Sequence, residues 1–253
     1  MRLAGKTAII TGGASGMGRA AVMEFLRQGA KVAFADINAQ AVGETLREAR
    51  EISPEVLGIS ADLTEEAACK RVVEQTAAHF GGVDVLFNNL GINLSAEVCE
   101  TSIEQWDKVF AVNVRAMFLM CKHTLPLMMT QKRGSVINTA SAGGAAALKG
   151  LAAYSASKGA VISLTRSIAV DYAPYNIRAN YLIPGVILTK MTQMVIDAQE
   201  EPEAYAESMR TNNLLHRFGQ EQEIAMAAVY LASDETGFMT GASLVADGGY
   251  LAQ

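Results

Sequence analysis

The chain is predicted to fold as one doubly wound α/β domain, a parallel sheet covered by helices on both faces. Three observations carry that expectation. Short apolar runs alternate with longer amphipathic ones along most of the 253 residues. The apolar runs lack strict in–out alternation, which is how strands buried on both faces of a parallel sheet read. A glycine-rich turn, Thr11-Gly-Gly-Ala-Ser-Gly-Met-Gly18, separates the first apolar run from the first amphipathic one. An α/β chain of this length is often undivided. With no internal repeat or linker-like run, residues 1–253 read as a single domain.

Thr7–Thr11 is the first strand, and Gly18–Gln28 the first helix, stopped by Gly29. Lys31–Asp36 is the second strand. Residues near 39–51 and 64–79 read as helices that bracket a short strand at Val56–Ser60, and Val83–Phe87 is the next strand. A long helix runs from about Ser102 to Thr130. Pro126 is expected to kink its end, because proline removes a donor and crowds the preceding turn. Ser135–Thr139, a helix over Tyr154–Tyr172 and a sixth strand over Asn176–Ile183 continue the alternation. The region from about Lys190 to Asn213 is Met- and Glu-rich and Pro-interrupted, and reads as an inserted helical flap (190–213).

Composition excludes several classes of function. Half of the residues are hydrophobic and 19% are charged, the profile of a globular enzyme. Twenty-one basic against 26 acidic side chains give a formal charge of −5, with no basic block, so neither nucleic acid nor a membrane surface is an expected partner. No apolar run approaches the ~18 residues of a membrane span. Cys69, Cys99 and Cys121 are scattered and odd in number, which suits reduced thiols and a cytoplasmic location. His79, His123 and His216 lack metal-ligand spacing, and no metal is expected.

The chemistry starts at Tyr154-Ser-Ala-Ser-Lys158. Residues four apart on a helix share a face, with Cβ atoms roughly 5–6 Å apart. A free phenol titrates near about 10, too high for acid–base work at neutrality. A nearby ammonium favours the phenolate, so Lys158 is expected to lower the pKa of Tyr154. Ser141 lies one short segment upstream and can hydrogen-bond the same substrate oxygen. These three groups move a proton but have nowhere to put a hydride. The Ser155-x-x-Lys158 pattern also matches an acyl-transfer motif, whose Ser-Asp-Asn and Lys-Thr-Gly partners are absent.

The glycine-rich turn supplies the missing partner. In a doubly wound sheet this turn is where a nucleotide binds, with bare backbone against pyrophosphate and a helix N-terminus offering unpaired N–H groups. A phosphate-loop NTPase is excluded, because Gly18 is followed by Arg19-Ala20 instead of Lys-Ser/Thr. Asp36 closes the second strand about 20 residues on, where a carboxylate accepts from ribose hydroxyls and repels a 2′-phosphate. That predicts NAD over NADP.

Taken with Asp62-Leu63, Asn88-Asn89-Leu90-Gly91, Asn113, and Pro184-Gly185 followed by Thr189, these motifs make the sequence resemble the short-chain dehydrogenase/reductase family essentially end to end. The resemblance implies a Rossmann fold and a catalytic set of Asn113, Ser141, Tyr154 and Lys158. It implies cofactor contacts from Gly12, Ser15, Gly16, Met17, Gly18, Asp36, Asp62, Leu63, Asn89, Gly91, Tyr154, Lys158, Pro184, Gly185, Ile187 and Thr189. Asn113 would hold a water in a proton relay through Lys158. A homotetramer is implied as well, with the long helix, the next one and the closing Asp247-Gly248-Gly249 turn at subunit interfaces. One departure is Leu90, where the family usually has alanine and where a larger side chain is expected to crowd the packing beneath the cofactor.

The function expected is NAD-dependent interconversion of a secondary alcohol and a ketone. Asn93, Leu94, Gly143, Ala145, Leu148, Leu151, Leu188, Met191, Met194, Val195 and Met209 make an apolar expected lining, which favours a neutral, cyclic or aryl-substituted substrate. A 3-oxoacyl-carrier-protein reductase is the alternative enzyme. A non-catalytic NAD sensor on the same fold is the alternative of a different class.

Overall fold

Strand β1 (Thr7–Thr11) is buried at all five positions, and its alternate side chains enter two different cores. Ala8 and Ile10 join a cluster of 26 buried residues, and Ile9 joins a second cluster of 23. A strand apolar on both faces must be covered on both, and here it is. The computed structural model describes residues 1–253 and carries one sheet of seven parallel strands in the order β3-β2-β1-β4-β5-β6-β7. The others are β2 (Lys31–Asp36), β3 (Val56–Ser60), β4 (Val85–Asn88), β5 (Gly134–Thr139), β6 (Ile177–Pro184) and β7 (Ser243–Ala246). The strand order reverses between β1 and β4, the crevice where open α/β sheets bind ligands.

Helices α1 (Gly16–Arg27), α2 (Ala39–Ile52) and α10 (Glu221–Ala232) cover one face through Phe25, Val42 and Val229. Helices α3 (Glu66–Phe80), α5 (Ala116–Gln131) and α7 (Ala152–Tyr172) cover the other through Val72, Met120 and Ile168. The remaining helices are α4 (Ile103–Phe110), the short α6 (Ala142–Ala145), α8 (Lys190–Asp197) and α9 (Pro202–Thr211).

Three features depart from expectation. The long helix does end near Thr130, but its irregularity is a π-helical segment, Ala111–Arg115, that joins α4 to α5; Ala116 N–H reaches back to the carbonyl of Ala111. The helix continues past Pro126 to Gln131. The first helix begins at Gly16, inside the glycine-rich turn. A further helix and strand, α10 and β7, follow residue 213. Strand β7 has only four residues, Ser243–Ala246, too short for its apolar Leu-Val-Ala to stand out as a run.

Candidate active site

The turn between β1 and α1 is drawn close to the sheet. Gly12 and Gly13 both donate their N–H to the carbonyl of Ala35, at 2.8 and 3.2 Å. The bare Cα of Gly18 packs so near the Gly12 carbonyl that any Cβ would collide with it. Ser15 occupies the N-cap of α1 in an extended conformation, without a side-chain cap bond, and no acid lies in the first turn. The helix therefore begins with its partial positive charge uncompensated by a side chain. Met17 packs against the core behind.

Asp36 stands at the end of β2 and reaches back to this turn. Its Oδ2 accepts from Ala14 N–H at 3.2 Å and its Oδ1 from Asn38 N–H at 3.1 Å, and it forms no ion pair. Asp62, exposed at the end of β3, accepts from the backbone and hydroxyl of Thr64, while Leu63 is buried. Thr11 was missing from the expected site, yet its Oγ1 accepts from both Asn89 and Leu90 N–H at 3.1 Å and so pins the β4 turn against the β1 turn. The side chain of Leu90 packs into the core cluster behind the sheet.

Tyr154 and Lys158 lie one turn apart on α7, as their spacing requires. The lysine is 3% exposed. Its Nζ donates to the carbonyl of Thr139 at 2.8 Å and stands 5.8 Å from the Tyr154 ring centroid. Burial alone lowers its pKa to about 8, because desolvation disfavours the ammonium. Tyr154 departs from expectation. Burial pushes its phenol above the ordinary value, and the Ser141 hydroxyl pulls only partly back. Loss of water around the hydroxyl disfavours the phenolate by more than the Ser141 hydrogen bond favours it. Ser141 caps α6, its Oγ accepting from Gly143 N–H at 3.1 Å.

Asn113 is fully buried in the π segment. Its Nδ2 donates to the Ile92 carbonyl and to Ser157 Oγ, both at 3.0 Å, and its Oδ1 accepts from Ile92 N–H at 2.8 Å. Ser157 in turn donates to the carbonyl of Tyr154 at 2.7 Å. Gly91 sits between these groups: a Cβ there would lie 3.3 Å from Lys158 Nζ and 3.4 Å from Asn113 Oδ1. Thr139 and Ser157 are thus part of the site's framework. Neither carries a sequence signal, since each matters only through a partner distant in the chain.

Pro184, the last residue of β6, is buried; beyond it Gly185 donates its N–H to the Ala246 carbonyl, and Ile187 is buried with its carbonyl accepting from Thr192 Oγ1 at 2.7 Å. Thr189 caps α8 and accepts from Thr192 N–H at 3.2 Å; its methyl lies 3.6 Å from where a Gly16 Cβ would stand. The two motif groups far apart in sequence therefore border one cleft. Within the expected lining, a Cβ on Gly143 would stand 2.8 Å from the Leu148 side chain and 3.4 Å from the Tyr154 ring. Ala96 N–H donates to the Gly150 carbonyl, joining the 93–96 segment to the loop before α7. Leu188, Met191 and Met194 are exposed, whereas Met209 packs on Ile196, Ala206 and Phe218 within the α8–α9 unit. A groove of about 800 Å³ between α1, α2 and the start of α10, lined by Arg19, Glu48, Leu188 and Glu221 among others, includes none of the expected catalytic residues.

Residues 12–251 match a family model described as enoyl-(acyl carrier protein) reductase. The chain is 40% identical to 2-(R)-hydroxypropyl-CoM dehydrogenase of Xanthobacter autotrophicus, across 98% of this chain and 99% of that one. It is 38% identical to cyclopentanol dehydrogenase of Comamonas testosteroni, across 99% of each. Its structure resembles that of levodione reductase with a TM-score of 0.96 at 34% identity, covering 99% of both chains. End-to-end sequence likeness, the seven-stranded sheet and the order of motifs around its crevice agree: this chain belongs to the short-chain dehydrogenase/reductase family of oxidoreductases.

Proposed function

We propose that the chain is an NAD-dependent dehydrogenase that interconverts a neutral, cyclic secondary alcohol and its ketone, with Tyr154 as acid/base. The observation that carries this reading is that Lys158 and Asn113 meet beside Gly91 while Tyr154, one turn from Lys158 on α7, reaches the Ser141 hydroxyl. The cleft fits a dinucleotide: the glycine-lined turn leaves no room for side chains, the α1 N-terminus is uncapped, and the Asn89 Oδ1 is buried without a partner. Ser15, Gly16 and Met17 would hold its pyrophosphate, Asp36 a ribose, Asp62 and Leu63 the adenine, and Ile187 and Thr189 the nicotinamide carboxamide. When bound, nicotinamide supplies hydride exchange at carbon.

The chain's own residues do the rest. In the oxidation direction the Tyr154 phenolate takes the hydroxyl proton from a substrate oxygen oriented by Ser141. Lys158, an ammonium across the ring, stabilises the phenolate as it forms, and Asn113 holds the relay by which the proton leaves. Burial raises the phenol above its ordinary value. Alcohol oxidation, which needs the phenolate, should therefore keep rising with pH into the alkaline range, and ketone reduction, which needs the phenol, should fall.

Asp36 presents an unpaired carboxylate where a 2′-phosphate would sit, which supports NAD over NADP. The relatives named for cyclopentanol and the largely apolar walls support a neutral ring. Apolar side chains exposed on α4, α5 and α7 (Trp106, Phe118 and Val170) support burial in a homotetramer, and buried free thiols at Cys69 and Cys121 suit the cytoplasm. The test is turnover of an alcohol panel with NAD and NADP, for wild type and Tyr154→Phe. NAD-linked turnover that falls by about three orders of magnitude or more in the variant, with NAD affinity retained, is expected. Retained turnover in Tyr154→Phe refutes the assignment, and a preference for NADP refutes the role of Asp36.

A further inference from the structure

The last eight residues and the two ends of the α8–α9 unit meet at one place. On the entry side, Gly185 donates its N–H to the Ala246 carbonyl at 3.1 Å, and its bare Cα lies against the Asp247 backbone, where a Cβ would come within 2.7 Å. On the exit side, Leu215 N–H donates to the Gly248 carbonyl at 3.2 Å and Gln253 Nε2 to the Asn212 carbonyl at 2.8 Å. Gly248, at φ +67, has no room for a side chain: a Cβ would stand 2.6 Å from Asn213 Oδ1. Asp247 holds the turn itself, its two carboxylate oxygens accepting from Gly249 and Leu251 N–H at 2.8 and 2.9 Å.

Asn213 is the piece that joins this turn to the flap. It is 5% exposed, and its amide is fully engaged. Nδ2 donates to the carbonyls of Arg210 and Arg217 at 3.1 and 3.0 Å, and Oδ1 accepts from Leu215 N–H at 3.2 Å. One side chain thus ties the end of α9 to the segment that leaves it, directly over Gly248. The same terminal turn reaches the chemistry: Tyr250 and Leu251 pack on the cluster that includes Ala140 and Ala142, the residues flanking Ser141.

We propose that the closing turn Asp247–Gly249 is the shared anchor of both flap ends and that Asn213 is a positioning residue, setting how the α8–α9 unit stands over the alcohol. The inference rests on the proposed reading only in taking the flap as a wall of the substrate site. Asn213 touches neither the catalytic groups nor the glycine-rich turn, so its loss should loosen the wall and leave the proton machinery intact.

The test is Asn213→Ala, assayed with cyclopentanol as the probe alcohol, by NAD titration, and by limited proteolysis in the absence of substrate. The expected result is a KM for cyclopentanol raised by about tenfold, with kcat within about threefold and NAD affinity unchanged, since lost uniform binding appears in KM. Cleavage between residues 190 and 212 should be faster by a similar factor. Gln253→Ala, which removes the exposed bond to the Asn212 carbonyl, should shift KM and cleavage in the same direction by a smaller amount, and decides the matter if Asn213→Ala does not fold. Unchanged flap cleavage and unchanged KM in a folded variant overturn the proposal, as does a fall in kcat alone. If the wild type turns over no alcohol, the functional reading has failed and the cleavage rates alone decide for or against the anchor.

Discussion

A lysine seated at 3% exposure with its ammonium on a backbone carbonyl is held there against its own solvation. That sets a testable sign. The folded pKa of Lys158 is about 8, below the unfolded value of about 10.4, so between these values the unfolded chain holds more protons than the folded one. Stability should therefore rise with pH across the interval, by at most about 1.4 kcal/mol per pH unit. Below about pH 8 the cost of burying the charge is fully present. Urea unfolding of wild type and Lys158→Met from about pH 7 to pH 10 isolates the effect. The gap between the two should change over that range in the direction that favours wild type at high pH. A constant gap would show that the ammonium is not desolvated. At this scale the sequence was legible in kind: Tyr154 and Lys158 share a helix face because four residues make about one turn. The direction of the tyrosine's shift was not legible, because it depends on how much protein surrounds a hydroxyl.

Among the elements, the long helix shows what spacing encodes and what it omits. Its ends were readable from Ser102, which forms a capping box with Gln105, and from the chain reversal before β5. Its π segment was not, although Asn113 owes its place to it. One extra residue in a turn rotates all that follows, and only the contacts of Asn113 with Ile92 and Ser157 show why that rotation is kept. The same helix stops at Lys132, an exposed residue at φ +52. A side chain in this left-handed conformation costs about 1–2 kcal/mol, and glycine avoids it. Lys132→Gly should thus raise stability by about 1 kcal/mol and Tm by about 2–4 °C, with turnover unchanged. A lower Tm on thermal unfolding would mean that the lysine itself makes a contact worth more than the strain.

For the whole molecule, the central strands carry the load. Phe87 on β4 is fully buried and stacks on Phe25 of α1 at 6.4 Å between ring centroids, with 8° between the planes. Phe87→Ala should cost about 3–5 kcal/mol, from lost burial and the cavity left behind. Because Phe87 directly precedes the Asn88–Leu90 turn, cofactor affinity should fall as well. A denaturant midpoint that barely moves would place the cooperative core elsewhere. The long-range order of strands across the crevice makes this possible: β1 and β4 are neighbours in the sheet although α1, β2, α2, β3 and α3 separate them in the chain.

By itself the amino-acid order determined the periodic and short-range features: which runs are strands buried on both faces, where the glycine turn meets a helix, and that a tyrosine and a lysine share one side of α7. These follow from pleat, helical turn and backbone sterics, which operate over a few residues. Only the tertiary structure decided that Lys158 donates to Thr139, that burial outweighs Ser141 at Tyr154, that β7 and α10 complete the sheet and its cover, and that residues 246–248 accept from both Gly185 and Leu215. Each of those depends on groups tens of residues apart brought within hydrogen-bonding or packing distance, and on the loss of water between them, which no local pattern records.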